Sequence, residues 1–403
     1  MPASERIDAS AWSEYGDCRF EDGCTAGGVM MRNFAVLSGL LLLIGCSSAP
    51  EKPDPTRLER IEARVSTIEV EQVNLGSGDQ TGLRPVVFED QIAAAGGSGE
   101  VGVFDQMLTE RWVVDLDRPI VGGVGFNGEA VFVVTADAEL VGLNATDGSE
   151  RFRVRLPSGS TTPPVADQDR VYVKTQIGRL MAFAQSNGDV LWVEETQESG
   201  IGIRGSAPMT LADGFLFVLW ESGRLVTYQA DNGRIAWERQ VAVSRGRSPL
   251  ERIVDSKGAP SVRNEVVATA TRNGQVSVLD RSNGQIVWSV DSDAYPGALV
   301  AFNLVTVVET DGTVSGYQLQ TGESVFSNEA LKYRELSAPA IVGASIGVTD
   351  LEGVLHLLSP QTGELVGRLD TGSTKGKVAP VTTSRGALVQ LMDGRLTLVE
   401  IRP

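Results

Sequence analysis

A short motif repeats along the chain and restricts the fold more than any other feature of the sequence. A typical copy has a turn glycine, an alternating apolar run, a second glycine ten residues later and an aromatic residue four positions after that, as in IGRLMAFAQSNGDVLW (177–192). The first position is occupied by Gly99, Ala138, Gly178, Gly223, Gly274, Gly312, Gly353 and Gly394. The second is occupied in six copies by Gly148, Gly188, Gly233, Gly284, Gly322 and Gly363. These positions define eight copies with a mean period of about 42 residues, in the range of known repeat architectures.

Each copy predicts a four-stranded antiparallel blade with strands A to D. In the third copy Pro164 precedes strand A, strand B covers 170–174, strand C covers 179–183, and strand D contains Trp192. Period-two alternation in short runs between turn residues is typical of strands. The upstream proline recurs at Pro85, Pro208, Pro260, Pro339 and Pro380. The sequence therefore predicts an all-β, eight-bladed β-propeller, with Trp192, Trp237 and Trp288 packed between blades.

The two ends of the chain are predicted to close the ring together. The last copy, 392–403, ends before its strand D, whereas residues 66–74 alternate like a strand and precede the first copy. A closed ring leaves no open sheet edge at the junction. We therefore expect 66–74 to supply strand D of the last blade, so that the propeller covers 66–403.

Residues 34–45 predict an export signal. They form a 12-residue apolar run behind Arg32, too short to cross a hydrocarbon core of about 30 Å as a helix. Such a run, ending in small residues, is typical of a secretory signal. Since signals begin at the initiator methionine, we expect the start to be Met30 or Met31. Residues 1–29 would then be a non-native extension and 30–45 the signal peptide.

The signal ends in Leu43-Ile44-Gly45-Cys46, which resembles the bacterial lipobox. That resemblance implies cleavage before Cys46 and a lipid on its thiol, and Ser47 in the next position implies retention at the outer membrane. Residues 46–65 are polar and contain three prolines, which predicts a flexible tether, with a short helix allowed over 56–65.

Composition excludes several classes of function. The net charge is −17 and no Lys/Arg cluster is present, so binding to nucleic acid is not expected. One histidine and three cysteines argue against a Ser–His–Asp hydrolase and a His-ligated zinc site. We expect no catalytic residues, metal or cofactor.

The repeated motif resembles the pyrroloquinoline-quinone-type repeat. Together with the lipobox and the eight copies, the chain resembles the BamB family, lipoproteins of the outer-membrane β-barrel assembly (BAM) complex. The resemblance implies a non-catalytic scaffold, anchored on the periplasmic face of the outer membrane. It would bind a polypeptide-transport-associated (POTRA) domain of the barrel subunit BamA and aid folding and insertion of outer-membrane β-barrel proteins.

Two segments carry the more specific part of the resemblance, 200–208 (GIGIRGSAP) and 246–255 (GRSPLERIVD). By position in the family motif, Ile201 and Ile203 are implied as apolar anchors, Arg204 as a donor and Asp255 as an acceptor for BamA. The family has a second acidic residue two positions after Asp255, where this chain has Lys257. The second segment also lies in the longest interval between first glycines, which predicts an insertion on a rigid ring.

Three other functions remain open at this stage. A quinoprotein dehydrogenase would need a calcium site and a cysteine pair; acids such as Asp350 lie at turns or strand ends, where they are normally structural, and His356 is expected to be a packed or edge residue of strand C. A periplasmic propeller adaptor outside the BAM complex fits the lipobox and repeats equally well. Outer strands could also pair with an extended client, such as an unfolded outer-membrane protein.

Overall fold

The computed structural model describes residues 53–77, 83–196, 207–243, 256–272, 274–372, 374–376 and 378–402. Within these ranges the regular elements are 32 β-strands, arranged as eight four-stranded antiparallel sheets. This confirms the predicted eight-bladed β-propeller. No helix in the described part of the chain is long and apolar enough to cross a membrane.

The strands follow the repeat blade by blade. The first strand, β1 (Ser66–Asn74), belongs to blade 8. Blade 1 contains β2 (Val86–Phe88), β3 (Gln91–Ala95), β4 (Glu100–Asp105) and β5 (Glu110–Asp115); blade 2 contains β6 (Ile120–Phe126), β7 (Ala130–Thr135), β8 (Glu139–Asn144) and β9 (Glu150–Arg155). Blade 3 contains β10 (Val165–Ala166), β11 (Arg170–Lys174), β12 (Arg179–Ala184) and β13 (Val190–Glu195); blade 4 contains β14 (Thr210–Ala212), β15 (Phe215–Leu219), β16 (Arg224–Gln229) and β17 (Ile235–Gln240).

The second half of the ring has the same plan. Blade 5 contains β18 (Ser261–Arg263), β19 (Val266–Ala270), β20 (Gly274–Asp280) and β21 (Ile286–Ser292); blade 6 contains β22 (Ala298–Ala301), β23 (Leu304–Val308), β24 (Val314–Gln318) and β25 (Ser324–Asn328). Blade 7 contains β26 (Ala340–Val342), β27 (Ser345–Thr349), β28 (Val354–Leu358) and β29 (Leu365–Asp370); blade 8 contains β30 (Val381–Thr382), β31 (Gly386–Gln390), β32 (Arg395–Arg402) and β1.

The two ends of the chain close the ring as predicted. Strand β1 pairs antiparallel with β32, from Ser66 opposite Arg402 to Asn74 opposite Arg395. The order in this sheet is β1-β32-β31-β30, so β1 occupies the strand D position of blade 8.

Local sequence explains the turns. Strand A begins directly after Pro85, Pro164, Pro260, Pro339 and Pro380, where the missing proline N–H costs no ladder bond. Gly178, in the turn between strands B and C, has a φ of 79°. Ala138 takes the same left-handed conformation, with a φ of 59°, at a position where glycine would be unstrained.

An aromatic residue of strand D locks each of six blades to the next one. Trp192 Nε1 donates to the carbonyl of Ala230 in blade 4 at 3.1 Å. A Cβ on Gly233, the second glycine of blade 4, would lie 2.8 Å from Trp192 Cε3. The same pairing joins Trp112 to Gly148, Phe152 to Gly188, Trp237 to Gly284, Trp288 to Gly322 and Phe326 to Gly363. This confirms that the tryptophans pack between blades. The second glycine is needed because the aromatic side chain of the preceding blade packs so closely against it that a Cβ would clash.

The ring has two faces. The connection face, as we call it, carries the B–C turns and the connections from strand D of one blade to strand A of the next. Backbone bonds join the two kinds of segment: the Thr196 N–H donates to Gly178 O, and the Val241 N–H to Gly223 O, both at 2.9 Å. The opposite turn face carries the A–B and C–D turns. Between the faces, the inner strands surround a central channel of about 1550 Å³.

Residues 53–65, which we call the strap, lie along blade 7 and its boundary with blade 6. On the connection face the Thr56 N–H donates to Lys332 O at 3.0 Å. Leu58 packs against the apolar core that blades 6 and 7 share. Near the turn face the N–H groups of Arg64 and Val65 both donate to Val366 O, at 2.8 and 3.0 Å.

The strap contains no helix, so the short helix allowed over 56–65 is wrong. In a helix the backbone N–H and C=O groups of these residues would bond to one another, whereas in the strap several of them bond to groups of the ring. The predicted tether, 46–65, thus includes a stretch that is bound to the ring.

A buried charged cluster lies beneath the strap. Arg334 donates through Nε to Asp350 at 2.7 Å and through Nη1 to Thr56 O at 3.0 Å, and it also pairs with Glu352. His356 is fully buried in β28, with Nε2 2.9 Å from Asp350 Oδ2. Its Nδ1 accepts from Arg368 Nε at 3.3 Å, and Arg368 Nη1 donates to Glu59 O at 2.8 Å.

The cluster sets the charge states of its members. Burial lowers the pKa of His356 below its usual range, against the opposing effect of Asp350. Burial by itself raises the pKa of Asp350, but hydrogen bonds from His356, the Val354 N–H and Arg334 overcome it and hold the pKa at about 2. At neutral pH the cluster therefore holds a neutral imidazole beside a carboxylate and two guanidinium groups.

Candidate partner-binding face

The two longest connections between described strands both begin and end on the connection face. They cover 196–209, which is 14 residues, and 241–260, which is 20 residues, whereas the other six have 4 to 11 residues. One enters blade 4 and the other leaves it, so blade 4 separates them. The predicted insertion around 242–259 falls within the longer one.

The site residues predicted from the sequence fall outside the described residues. Ile201, Ile203 and Arg204 belong to the gap 197–206, Asp255 to the gap 244–255, and Cys46 precedes residue 53. Their assignment stays a prediction. What the structure does describe is both ends of each long connection.

The first connection is fixed to the ring at both ends. Thr196 is bonded to the B–C turn of blade 3, and its Oγ1 accepts from Arg224 Nη2 at 2.6 Å. At the other end Ala207 and Met209 are buried. Lys174, itself buried, donates through Nζ to Ala207 O at 3.2 Å and Leu219 O at 3.0 Å. These bonds hold the exit of the loop against blades 3 and 4.

The second connection is fixed in the same way. Val241 and Ala242 are buried, and their N–H groups both donate to Gly223 O, at 2.9 and 3.2 Å. At the far end Ser256 is buried and the Lys257 N–H donates to Tyr295 O at 3.0 Å. The ring thus displays both loops from rigid bases.

Lys257, the departure from the family motif, packs on the neighbouring connection. Its Nζ lies 5.0 Å from the centre of the Tyr295 ring, and Arg272 Cζ lies 5.6 Å from the same ring. Cations over an aromatic face are attracted by its quadrupole. The far end of the second loop therefore carries positive charge where the family motif has an acid.

Two exposed apolar residues on this face were missed by the sequence reasoning. Ile177, in the B–C turn of blade 3, is 54% exposed, and Val243, at the start of the second loop, is 56% exposed. A signal for Ile177 was available: it directly precedes the turn glycine. The other seven copies have polar residues there, namely Ser98, Asp137, Ser222, Asn273, Asp311, Glu352 and Asp393. Its departure from the polar pattern of the other copies makes Ile177 a candidate contact residue.

Nothing on the described part of this face gathers metal ligands, since no group of three or more His, Cys, Asp or Glu side chains forms a potential metal site in those residues. The fold and the face define a class: a closed eight-bladed β-propeller that presents two long loops from neighbouring blade junctions.

Comparison with known proteins narrows that class. The family model for the outer membrane protein assembly factor BamB matches residues 97–328 and 260–399. The chain belongs to this family. A relative from Bordetella pertussis, named outer membrane protein assembly factor BamB, is 32% identical over 91% of this chain and 96% of its own length.

Solved structures are also similar to this chain. The crystal structure of BamB from Moraxella catarrhalis superposes with a TM-score of 0.75 at 26% identity, covering 83% of this chain and all of that one. A quinohemoprotein alcohol dehydrogenase from Comamonas testosteroni reaches a TM-score of 0.61 at 14% identity, over 83% of this chain and 76% of its own. At that identity the likeness concerns the fold alone.

Proposed function

We propose that this chain is a non-catalytic scaffold lipoprotein of the BAM complex, which binds a POTRA domain of BamA through its connection face. One observation carries the proposal: in a member of the BamB family, the two segments that resemble the family's BamA-binding motif coincide with the two longest connections of the ring.

In this proposal the contact has an apolar centre and a polar rim. Ile201 and Ile203 insert into the partner, while Arg204 donates to it and Asp255 accepts from it. Ile177 and Val243 extend the apolar area on either side of the loops. Because the described ends of both loops are already fixed to the ring, binding costs no further ordering of those ends.

The membrane attachment is part of the proposal. A lipid on Cys46 would hold the ring at the periplasmic face of the outer membrane and raise its effective concentration near BamA. Translation would start at Met30 or Met31. Mass spectrometry of the purified protein checks both points: a lipidated N-terminal Cys46 is expected, and any peptide from 1–29 contradicts the start site.

Co-purification from membranes tests the binding face. We would compare the tagged wild type with Arg204→Ala, Asp255→Ala and Ile177→Asn. The matched control is Ile235→Asn, since Ile235 is equally exposed at 52% but lies on outer strand β17. Loss of a central contact residue costs about 1–2 kcal/mol or more, that is, a Kd weaker by about five- to thirtyfold or more.

The outcomes separate the parts of the proposal. BamA recovered with the wild type and the control but depleted with the three variants supports the function and the face. Equal recovery with all five proteins contradicts the face only. Absence of BamA from the wild-type preparation contradicts the function, and the adaptor alternative would then be pursued with whatever protein co-purifies.

A further inference from the structure

The strap gives the chain a defined point of departure from the ring. Its first contacts with the ring are the Thr56 N–H on Lys332 O, at 3.0 Å, and Arg334 Nη1 on Thr56 O, also at 3.0 Å. Lys332 and Arg334 belong to the connection between blades 6 and 7, and the N–H of Tyr333 beside them donates to Asp311 O in a B–C turn. The chain therefore reaches the ring on the connection face.

Contacts along the strap keep it in place from this point to β1. Leu58 is packed into the core shared by blades 6 and 7. Arg368 holds the carbonyl of Glu59, and Val366 O holds the N–H groups of Arg64 and Val65. The guanidinium groups that make these bonds are in turn oriented by the buried pair of Asp350 and His356. The strap is thus fixed along the height of blade 7, rather than being tied at one point.

Little chain is left between the strap and the proposed lipid. Seven residue steps separate Cys46 from Pro53, and a fully extended chain spans at most about 3.6 Å a residue, so their reach is about 25 Å. A flexible tether of the full length 46–65 would reach more than twice as far and could leave the ring in any direction.

We infer that the docked strap determines which side of the propeller approaches the membrane: the lipid surface lies on the connection face, at the boundary of blades 6 and 7. This rests on the proposed lipidation of Cys46. The described ends of the two long connections lie on the same face, two to three blades away around the ring. The connection face would therefore contact both the lipid and the protein partner, each at a different part of the ring. The turn face would point away from the bilayer.

Hydrogen exchange on the full processed chain tests the docking. The amides of Thr56, Arg64 and Val65 should exchange at least about 100-fold more slowly than unstructured amides, since they donate to ring carbonyls. Arg368→Gln, which removes the bond to Glu59 O, should speed exchange of these amides without altering that of β11 and β12 in blade 3. Unprotected strap amides in the wild type overturn the inference, whether or not the protein is lipidated.

Energy transfer to labelled lipid headgroups tests the orientation. The processed chain would retain only Cys46, whose thiol is blocked by lipid, so single cysteines can be labelled selectively. We would place the donor at Glu329→Cys on the connection face or Thr362→Cys in a C–D turn on the turn face, with the protein bound to vesicles. Strands of five or six residues separate the faces by about 18 Å, so transfer should be at least about twofold more efficient from position 329.

A length variant makes the second test specific. Insertion of a long Gly/Ser segment between Lys52 and Pro53 leaves every strap contact intact but removes the limit on reach, so the difference between the two labels should vanish. Equal transfer in the wild type, or stronger transfer from position 362, overturns the inference while leaving the anchor intact. Failure of the wild type to float with vesicles contradicts the lipid anchor itself, and with it the inference that depends on it.

Discussion

The buried histidine should make the free energy of unfolding depend on pH in the range just below pH 6.5. His356 is the one histidine in the sequence, and in the folded chain Asp350, Arg334 and Arg368 surround it. Burial lowers its pKa below 6.5, so the unfolded chain binds a proton at a higher pH than the folded chain does. The contribution to stability is therefore complete above about pH 6.5 and is lost as the pH falls from that value down to the folded-state pKa.

The magnitude follows from proton linkage. With an unfolded-state pKa of about 6.5, His356 can lower the free energy of unfolding between pH 7.5 and 5.5 by at most RT ln 10, about 1.4 kcal/mol, the full amount being reached when the folded chain takes up no proton in that range. The carboxylate of Asp350 does not add to this window, because its pKa of about 2 confines its own loss of stability to the range below its unfolded value near 3.8.

Urea unfolding at pH 7.5, 6.5 and 5.5 measures this effect against His356→Gln. Glutamine can donate to Asp350 and accept from Arg368 but does not titrate, so the variant is expected to be less stable at pH 7.5 and nearly independent of pH over the same range. The difference between the two curves isolates the histidine from all other groups. If the wild type and the variant lose the same free energy between pH 7.5 and 5.5, the assignment of the neutral, buried imidazole is wrong.

Two further predictions concern the ring. Gly233→Ala should destabilise the protein by about 1–3 kcal/mol more than Gly214→Ala. Both glycines have a φ of 77°, but a Cβ on Gly233 would meet Trp192, whereas a Cβ on Gly214 would have nothing within 4 Å. Equal losses of stability in thermal unfolding would mean that the contact between the blades is not tight. Deletion of 66–74 should lower the Tm by more than about 10 °C, since β32 loses one of its two partner strands and blade 8 its strand D, and an unchanged Tm would contradict closure by β1.

The repeat made most of the fold predictable. Strands B and C of blade 3 were expected at 170–174 and 179–183 and are found at Arg170–Lys174 and Arg179–Ala184. Such agreement arises because strand periodicity and turn glycines are local signals, repeated eight times. Closure by 66–74 was also predictable, since a last copy without strand D has to find one.

The strap and the charged cluster were not predictable in the same way. Residues 53–65 have the composition of a tether, and only the ring's own carbonyls and guanidinium groups, distant in sequence, give them bonding partners. His356 could be placed in strand C, but Arg334 and Arg368 carry no local signal that they would converge on Asp350. Ile177 could have been found by comparing the same turn position across all copies, a comparison that looks for departures from the repeat.

Closure of blade 8 also fixes when the molecule can finish folding. Ser66 pairs with Arg402, so the earliest strand of the propeller has no partner until β32 has been synthesised. Loop closure over such a separation is slow compared with the formation of hairpins inside a blade. Blades 1 to 7 can each assemble from contiguous chain as it appears, while β1 stays an unpaired strand that is open to wrong partners. A nascent or truncated chain would therefore hold seven formed blades and one unpaired strand. A chaperone that covers β1 would act on the last step of folding, the closure of blade 8.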